Sequence, residues 1–186
     1  MSFFKTEKEF EDQFYQCILA HKINPLNGRP VLGVCRQATL GSYGIADIIT
    51  LEDHAGKEVI NVIELKNVAY HSGMVFQVGR YMEAVKLGSD YSLILSPFTD
   101  FDVDQGIITM FPSVRVIGSL VCTSSPDMGQ GERSVYNALS ITVYSAEMHL
   151  LQIHFDQINC ESDRDTDQIR AIQSTISGLA NPIEAF

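Results

Sequence analysis

The sequence predicts an α/β domain with a mixed central sheet, and three features of its pattern support this fold class. Residues 6–21 and 72–87 repeat apolar side chains at helical spacing. A further apolar run at 91–96 follows the second of these segments. The apolar runs between them have the length and composition of strands: 31–39, 45–51 and 59–66. The resulting order of helix, three strands, helix and strand is typical of α/β domains.

Both predicted helices have residues at their ends that favour helix initiation or termination. Thr6 and Glu9 form a capping box at the start of the first helix, and Pro25 follows its end. Ser72 can cap the second helix, and Gly88 stops it. The residues predicted to face the core are Phe10, Phe14, Cys17, Ile18 and His21 in the first helix, and Met74, Val78, Met82 and Val85 in the second.

Beyond residue 97 the pattern is weaker. The predicted elements are strands at 114–123, 139–144 and 149–155, a loop at 128–132, a hairpin turn at 145–147 and a helix at 163–178. We therefore expect residues 97–186 to form an α+β extension of the same domain, which adds strands to the sheet or supplies a surface for a partner.

Composition and cysteine usage predict a cytoplasmic protein with no membrane partner. The chain has 186 residues, 45% of them hydrophobic and 19% charged, as in an ordinary globular domain. No apolar run reaches the length of a bilayer crossing, and residues 1–9 are charged where a signal peptide would be apolar. The cysteines are far apart and show no CxxC spacing, which favours free thiols over a zinc site: Cys17, Cys35, Cys122 and Cys160.

The net charge of −10 counts against a nucleic-acid binder, since such proteins usually carry a basic footprint. The acidity is uneven along the chain. Residues 1–90 contain 9 Lys/Arg and 11 Asp/Glu, whereas residues 91–186 contain 4 and 12. The nearly neutral half is therefore the half in which an anionic substrate is expected to bind.

The second and third strands bring charged residues together. If their hairpin turn is centred between Ala55 and Gly56, the numbers of paired residues add up to 111. Asp47 then lies opposite Glu64, with Cβ atoms roughly 4.5–5.5 Å apart. Lys66 lies two residues further along and therefore on the same face. The remaining residues of both faces are mostly apolar, which predicts a sheet covered on both sides.

Two adjacent carboxylates on a buried sheet repel each other unless a cation lies between them. Mg²⁺ prefers one or two carboxylates, and it can polarise a phosphoryl oxygen and lower the pKa of water. Lys66 could orient that water or stabilise charge that builds up on a phosphate. Asp47, Glu64 and Lys66 therefore predict a divalent-metal site for phosphodiester hydrolysis.

The sequence around these residues resembles the D…ExK core of the PD-(D/E)XK phosphodiesterase superfamily. Gly-Ile-Ala-Asp ends at Asp47, and Val-Ile-Glu-Leu-Lys spans 62–66. Gln-Val-Gly-Arg-Tyr at 77–81 matches the QxxxY signature of its RecB-like members. A segment that resembles the archaeal mismatch and flap endonucleases of this group contains Arg36, Gln37, Gly44 and Asp47. The resemblance covers about residues 6–96, and it implies a restriction-endonuclease-like nuclease core within residues 1–96.

This resemblance implies a nuclease that depends on Mg²⁺ (or Mn²⁺) and acts on DNA. Asp47 and Glu64 would hold the metal, and Lys66 would be the catalytic lysine. Gln77 and Tyr81 lie one helical turn apart and would face the metal site or the substrate backbone.

Members of the family often add a glutamate from the first helix as a further metal ligand. Glu9 already has a capping role, and the helix dipole accounts for Glu7 in the first turn. Glu11 stands between Phe10 and Phe14 and has no such role. Glu11 is therefore the predicted third metal ligand, with Glu7 as the alternative.

Two other functions are compatible with the sequence. The same fold could be a catalytically inactive module that binds nucleic acid or protein, which the net charge favours. The chain could also be an assembly protein, such as a homo-oligomer, whose acidic C-terminal half contacts other subunits. The D…ExK pattern favours the nuclease.

Overall fold

A computed structural model describes residues 4–87, 114–124, 128–149 and 152–158. These residues form an α/β fold with one six-stranded mixed sheet and three helices. The helices are α1 (Glu7–His21), α2 (Gly73–Leu87) and α3 (Gln130–Ala138). The strands are β1 (Val31–Thr39), β2 (Ile45–Asp53), β3 (Glu58–Lys66), β4 (Arg115–Cys122), β5 (Ile141–His149) and β6 (Gln152–Gln157).

The strands lie in the sheet in the same order as in the chain. β1, β2 and β3 are antiparallel neighbours. β4 pairs parallel to β3, β5 pairs parallel to β4, and β6 returns antiparallel to β5. The predicted mixed sheet is confirmed, and the C-terminal half of the chain extends it. In the described part of the chain, the strand that follows α2 and pairs with β3 is β4.

The β2–β3 hairpin has the predicted register. Its turn places Ala55 and Gly56 in the left-handed region, with φ values of 54° and 79°. Positive φ at both central residues is the geometry of a type I′ turn, which matches the twist of the strands. The ladder runs from Asp53–Glu58 to Ile48–Ile63, so that every pair adds up to 111.

Both faces of the sheet are covered, as the apolar pattern predicts. On one face, α1 buries Phe10, Phe14 and Ile18 in a cluster with Ile63 and Leu65 of β3. On the other face, α2 packs on β2, β3 and β4. The buried members of α2 include all four predicted inward residues: Met74, Val78, Met82 and Val85. In α1, Cys17 and His21 are only partly buried.

The capping box at the start of α1 forms in part. The Glu9 N–H donates to Thr6 Oγ1 at 3.1 Å. Glu9 Oε2 accepts from the Lys5 N–H at 2.8 Å, one residue before the predicted donor.

A buried polar cluster lies at the hairpin end of β2, where the sequence pattern gives no sign of one. The Glu52 carboxylate is fully buried and accepts hydrogen bonds from the side chains of Asn24, Asn27, Thr50 and Asn61. These donors offset the cost of burying the carboxylate. They also tie the loop between α1 and β1 to the sheet.

Two predictions in the C-terminal half are wrong. Gly129 and Gly131 predict a loop at 128–132, but α3 begins at Gln130. The buried Tyr136 ring, with hydrogen bonds from Tyr136 and Tyr70 to Glu132, stabilises this helix against the low helix propensity of glycine.

The turn predicted at 145–147 is also wrong. β5 continues through these residues to His149, and the hairpin with β6 turns after that point. Ser145 is held in the sheet from both sides, by pairing with Cys122 and with Asp156. The strand predicted at 91–96 and the helix predicted at 163–178 lie outside the described residues.

None of the three helices in the described ranges is both long enough and apolar enough to cross a membrane.

Candidate active site

Asp47 lies at the point where the β2–β3 ladder ends. The next residue of β2, Ile48, still pairs with Ile63. The Leu65 N–H of β3 donates to Asp47 Oδ2 at 2.9 Å. The Asp47 carboxylate is thus fixed beside the strand segment that carries Glu64, as the register predicts.

Glu64 is the most enclosed charged group of the site, with 1% of the residue exposed. Its Oε1 atom accepts a hydrogen bond from Gln77 Nε2 at 2.7 Å and lies 2.6 Å from Lys66 Nζ. In the described part of the chain, its Oε2 atom is buried and accepts no hydrogen bond of normal geometry. A buried carboxylate oxygen without a partner is costly, and a bound cation would satisfy it.

Lys66 is the cation of the site. Its Nζ atom contacts Glu64 Oε1 and also Glu7 Oε1, at 3.3 Å. Burial alone would lower the pKa of Lys66, but the hydrogen bond to Glu64 and the nearby carboxylates outweigh burial and raise it above the usual range. Lys66 is therefore protonated at neutral pH, so that it can stabilise negative charge but cannot accept a proton.

The two strand carboxylates have raised pKa values. Burial raises the pKa of Asp47 to about 6. Burial, followed by the negative charge of Asp47, raises the pKa of Glu64 to about 7. Both carboxylates would be easier to ionise with a cation between them, because a cation favours the charged form. Cation binding near neutral pH should therefore release protons.

Helix α2 supplies two further predicted residues. Gln77 Nε2 donates to Glu64 Oε1 and lies 2.9 Å from the Tyr81 hydroxyl oxygen. Tyr81 is buried against Gly44, where an added Cβ would lie 3.1 Å from the tyrosine ring. The structure thus brings Asp47, Glu64, Lys66, Gln77 and Tyr81 together. Gln77 links Tyr81 to Glu64 through its Nε2 atom.

Glu11 is nearby but is engaged elsewhere. It is 6% exposed, and its two oxygens accept hydrogen bonds from Arg36 Nε at 2.6 Å and Gln37 Nε2 at 2.8 Å. After burial, the charges of Glu11 and Glu7 also contribute to the raised pKa of Asp47. The α1 carboxylate that contacts Lys66 is Glu7, which the sequence offered only as the alternative.

Gly44 and Glu7 are site residues that the sequence reasoning undervalued. Gly44 has φ of 117°, which favours glycine, and its lack of a side chain admits the Tyr81 ring. Its position three residues before Asp47 is the sequence feature that could have identified Gly44 as a residue of the site. Glu7 lies four residues before Glu11, and this spacing puts both on one side of α1.

The donor set fits a hard divalent cation. Asp47 and Glu64 offer carboxylate oxygens, and Mg²⁺ is usually held by one or two protein carboxylates. Among the described residues, none donates a hydrogen bond of normal geometry to the buried Glu64 Oε2 atom. In the part of the chain that the structure describes, no group of three or more His, Cys, Asp or Glu side chains is arranged to hold a metal ion. The predicted third ligand is thus not part of a formed cluster.

No protein-family model, curated protein or solved structure matches the chain.

Proposed function

We propose that the protein is a metal-dependent nuclease of the PD-(D/E)XK type, with a restriction-endonuclease-like core, that hydrolyses phosphodiester bonds of DNA. One observation carries the proposal. Within the described ranges, the buried Glu64 carboxylate lies beside Asp47 and Lys66, and its Oε2 atom accepts no hydrogen bond of normal geometry. A merely structural ion pair would not need a second, partly buried carboxylate next to it.

In this proposal Asp47 and Glu64 hold Mg²⁺ (or Mn²⁺). Glu11 is the proposed third ligand and Glu7 the alternative, because both influence Asp47 electrostatically. A bound Mg²⁺ would supply Lewis-acid chemistry, by polarising a phosphoryl oxygen and lowering the pKa of water.

Lys66, Gln77 and Tyr81 have different roles in the proposed reaction. Protonated Lys66 stabilises the negative charge that develops on the phosphoryl group, as a fixed cation in a partly buried site can. Gln77 orients Glu64 by donating to its Oε1 atom, and Tyr81 holds Gln77 in place. Such supporting contacts typically contribute about 10–100-fold in metal affinity or activity.

The proposed location is the cytoplasm. Cys17, Cys35 and Cys122 are free thiols, which suits a reducing compartment. Burial raises the pKa of Cys35 to about 11 and that of Cys122 to about 12, so these two thiols are inert rather than catalytic.

Substitutions on β2 and β3 test the nuclease proposal. We expect Asp47→Asn, Glu64→Gln and Lys66→Ala each to lower Mg²⁺-dependent cleavage of DNA by at least about 100-fold, because each removes charge from the reacting centre. Glu58→Gln is the matched control, since Glu58 is an exposed carboxylate at the other end of β3. Cleavage would be followed on single-stranded and duplex DNA. Wild-type rates for Lys66→Ala and Asp47→Asn would exclude the proposed site.

The alternative proposal is a catalytically inactive module of the same fold that binds or assembles with a partner. The net charge of −10 favours this alternative, because like charges oppose the approach of DNA. Light scattering and Mg²⁺ calorimetry distinguish the two. A large closed assembly that takes up no metal would favour the assembly module.

A further inference from the structure

A cavity of about 180 Å³ lies at the end of the sheet remote from Lys66. Val59, Ile117 and Thr142 line it from three neighbouring strands, β3, β4 and β5. Because strand side chains alternate, all three belong to the sheet face that α1 covers further along. Val59 and Lys66 are the second and last residues of β3, and at 3.3 Å per residue they are roughly 23 Å apart. The cavity is therefore separate from the candidate active site.

The polar lining of this cavity is cationic. It consists of two arginines, a histidine and three neutral residues that can donate hydrogen bonds: Arg29, His54, Arg115, Asn137, Ser140 and Thr142. None of the described residues that line the cavity is acidic. The chain as a whole has 13 Lys/Arg against 23 Asp/Glu, so this local excess of positive charge runs against its composition. Such a concentration of one sign of charge in a concave site attracts the opposite charge.

The sheet register brings the two arginines to opposite sides of Val59. Val59 pairs with Glu52 of β2 on one side and with Arg115 of β4 on the other. Arg29 lies against Glu52, with its Nη1 atom 3.6 Å from Glu52 Oε2. Neighbouring strands are about 4.8 Å apart, so Glu52 and Arg115 are separated by only about two strand spacings. Two long arginine side chains can therefore reach one ligand above Val59.

The buried Glu52 cluster fixes the loop that carries Arg29. The Arg29 N–H donates to Asn27 Oδ1 at 2.9 Å, and the Asn27 side chain donates to Glu52 Oε2 at 2.9 Å. Glu52 already accepts hydrogen bonds from four side chains, and its 3.6 Å separation from Arg29 is too long for another. Within the described ranges, the Arg29 guanidinium is thus held in position and keeps N–H donors for a ligand.

Arg115 and the end of α3 complete the electrostatics of the cavity. Arg115 is exposed, and no carboxylate of the described residues forms an ion pair with it. The C-terminal end of a helix repels anions through its unsatisfied carbonyls. Here Val135 O and Asn137 O already accept from the Leu139 and Ser140 N–H groups. The two arginines therefore dominate the charge that a ligand meets.

We propose that this cavity binds the phosphate group of a small phosphomonoester. Arginine pairs with phosphate oxygens through two parallel N–H donors, and the Ser140 and Thr142 hydroxyls can donate further hydrogen bonds. At about 30 Å³ per water, the cavity has the volume of about six water molecules, which is enough for a phosphate group. A phosphomonoester has one organic substituent and can enter from one side, whereas a phosphodiester in a strand continues on both sides. This inference does not depend on the nuclease function.

Calorimetric titration with thymidine 5′-monophosphate tests the site. At pH 8 this ligand carries two charges on its phosphate, whose second pKa is about 6. EDTA is present, so that no divalent metal links the ligand to the candidate active site. We expect saturable binding of one ligand per chain, and we expect thymidine itself not to bind.

Substitutions in the lining give the expected fold-changes. Arg115→Gln should weaken binding by about 10- to 150-fold, because a hydrogen bond between two charged groups is lost. Arg29→Gln should have an effect in the same range. Thr142→Val removes only a hydroxyl and should weaken binding by about 2- to 12-fold. Lys86→Gln is the matched control, since Lys86 is an exposed cation on α2 and its substitution removes the same charge. This control should bind like the wild type.

Two further titrations locate the binding and define the ligand. Lys66→Ala should keep the wild-type affinity, because Lys66 lies at the other end of β3. Thymidylyl-thymidine with free hydroxyl ends, which has a phosphodiester but no terminal phosphate, should bind at least about 10-fold more weakly than the monophosphate.

Several outcomes would overturn the proposal. They are a wild-type affinity in Arg115→Gln, no saturable binding at millimolar ligand, and equal binding of thymidine. Arg29→Gln also removes a cation next to the buried Glu52, so Arg115→Gln and Thr142→Val decide if that variant does not fold. Loss of binding in Lys66→Ala would assign the phosphate to the candidate active site instead. Equal binding of thymidylyl-thymidine would overturn the restriction to phosphomonoesters. The nuclease proposal is decided separately, by the cleavage assays.

Discussion

At the scale of single residues, the environment of Glu64 needs a physical explanation. Its carboxylate is buried beside Asp47, and Lys66 is the ammonium partner that contacts it. The burial of Glu64 and the partial burial of Asp47 raise both pKa values, and the charge of one ammonium group does not fully offset this effect. The metal-free site is thus electrostatically strained around neutral pH.

The pH dependence of stability should reveal this strain. Asp47 and Glu64 bind protons more tightly in the folded chain, where their pKa values are about 6 and about 7, than in the unfolded chain, where the ordinary values are 3.8 and 4.5. Between these limits the unfolded state binds fewer protons, so stability falls as the pH rises. At about 1.4 kcal/mol per pKa unit, we expect the metal-free protein to lose several kcal/mol, on the order of 5–6, between about pH 4 and pH 8 from this pair.

Urea denaturation across this pH range, with and without Mg²⁺, measures the effect. Mg²⁺ should restore stability mainly at the upper end of the range, where the carboxylates are ionised. The control is the Asp47→Asn, Glu64→Gln double variant, in which this part of the slope should vanish. An identical slope in the double variant and the wild type would show that the pair is not strained.

At the scale of elements, the site depends on how closely α2 approaches the start of β2. Gly44 adopts φ of 117° and ψ of −153°, and the Tyr81 ring occupies the space of its missing side chain. This contact sets the position of Tyr81 and, through it, of Gln77. The glycine that precedes β2 therefore supports the orientation of Glu64 on β3.

Gly44→Ala should damage both stability and activity. The backbone strain at this φ costs about 1–3 kcal/mol, and the new Cβ would displace the Tyr81 ring. Gly56→Ala is the matched control, because φ is 79° there but no atom lies within 4 Å of the added Cβ. It should cost about 1–2 kcal/mol in stability and leave cleavage unchanged. Thermal unfolding and DNA cleavage would be measured for both, and equal activities would argue against the role of the Tyr81 contact.

At the scale of the whole molecule, one sheet joins the two halves of the chain. β3 pairs with β2 on one side and with β4 on the other. α2 packs tightly on β4, since a Cβ at Gly118 would lie only 2.6 Å from Met82 and Val78. The site is therefore carried by an N-terminal half that shares its core with the C-terminal half.

A fragment of residues 1–96 should consequently fail to fold. It lacks β4, β5 and β6, so that β3 becomes an edge strand and both core clusters lose their buried C-terminal members. We expect no cooperative thermal transition by circular dichroism, in contrast to the full chain. A fragment that unfolds cooperatively would show that residues 1–96 form an independent domain.

Local signals in the sequence determined much of this protein. The Thr6 cap, the two-residue turn at Ala55 and Gly56, and the alternation of β3 each depend on residues close together in the chain. The hairpin register then follows by counting, and with it the proximity of Asp47 to the segment of Glu64 and Lys66. A two-residue turn has a fixed length, and the side chains of a strand alternate with a fixed period of two. Residues that are neighbours in sequence therefore suffice to predict both.

Only the tertiary structure decided which partners these side chains take. The sequence predicts Glu11 as a metal ligand because its pairing with Arg36 of β1 cannot be read from residue spacing. For the same reason the sequence does not show that Glu7 of α1 contacts Lys66 of β3. α3 forms in spite of its glycine because Tyr70, far away in sequence, bonds to Glu132. Contacts between distant segments are set by packing of the whole chain, which outweighs local propensity and leaves no mark in the spacing of residues.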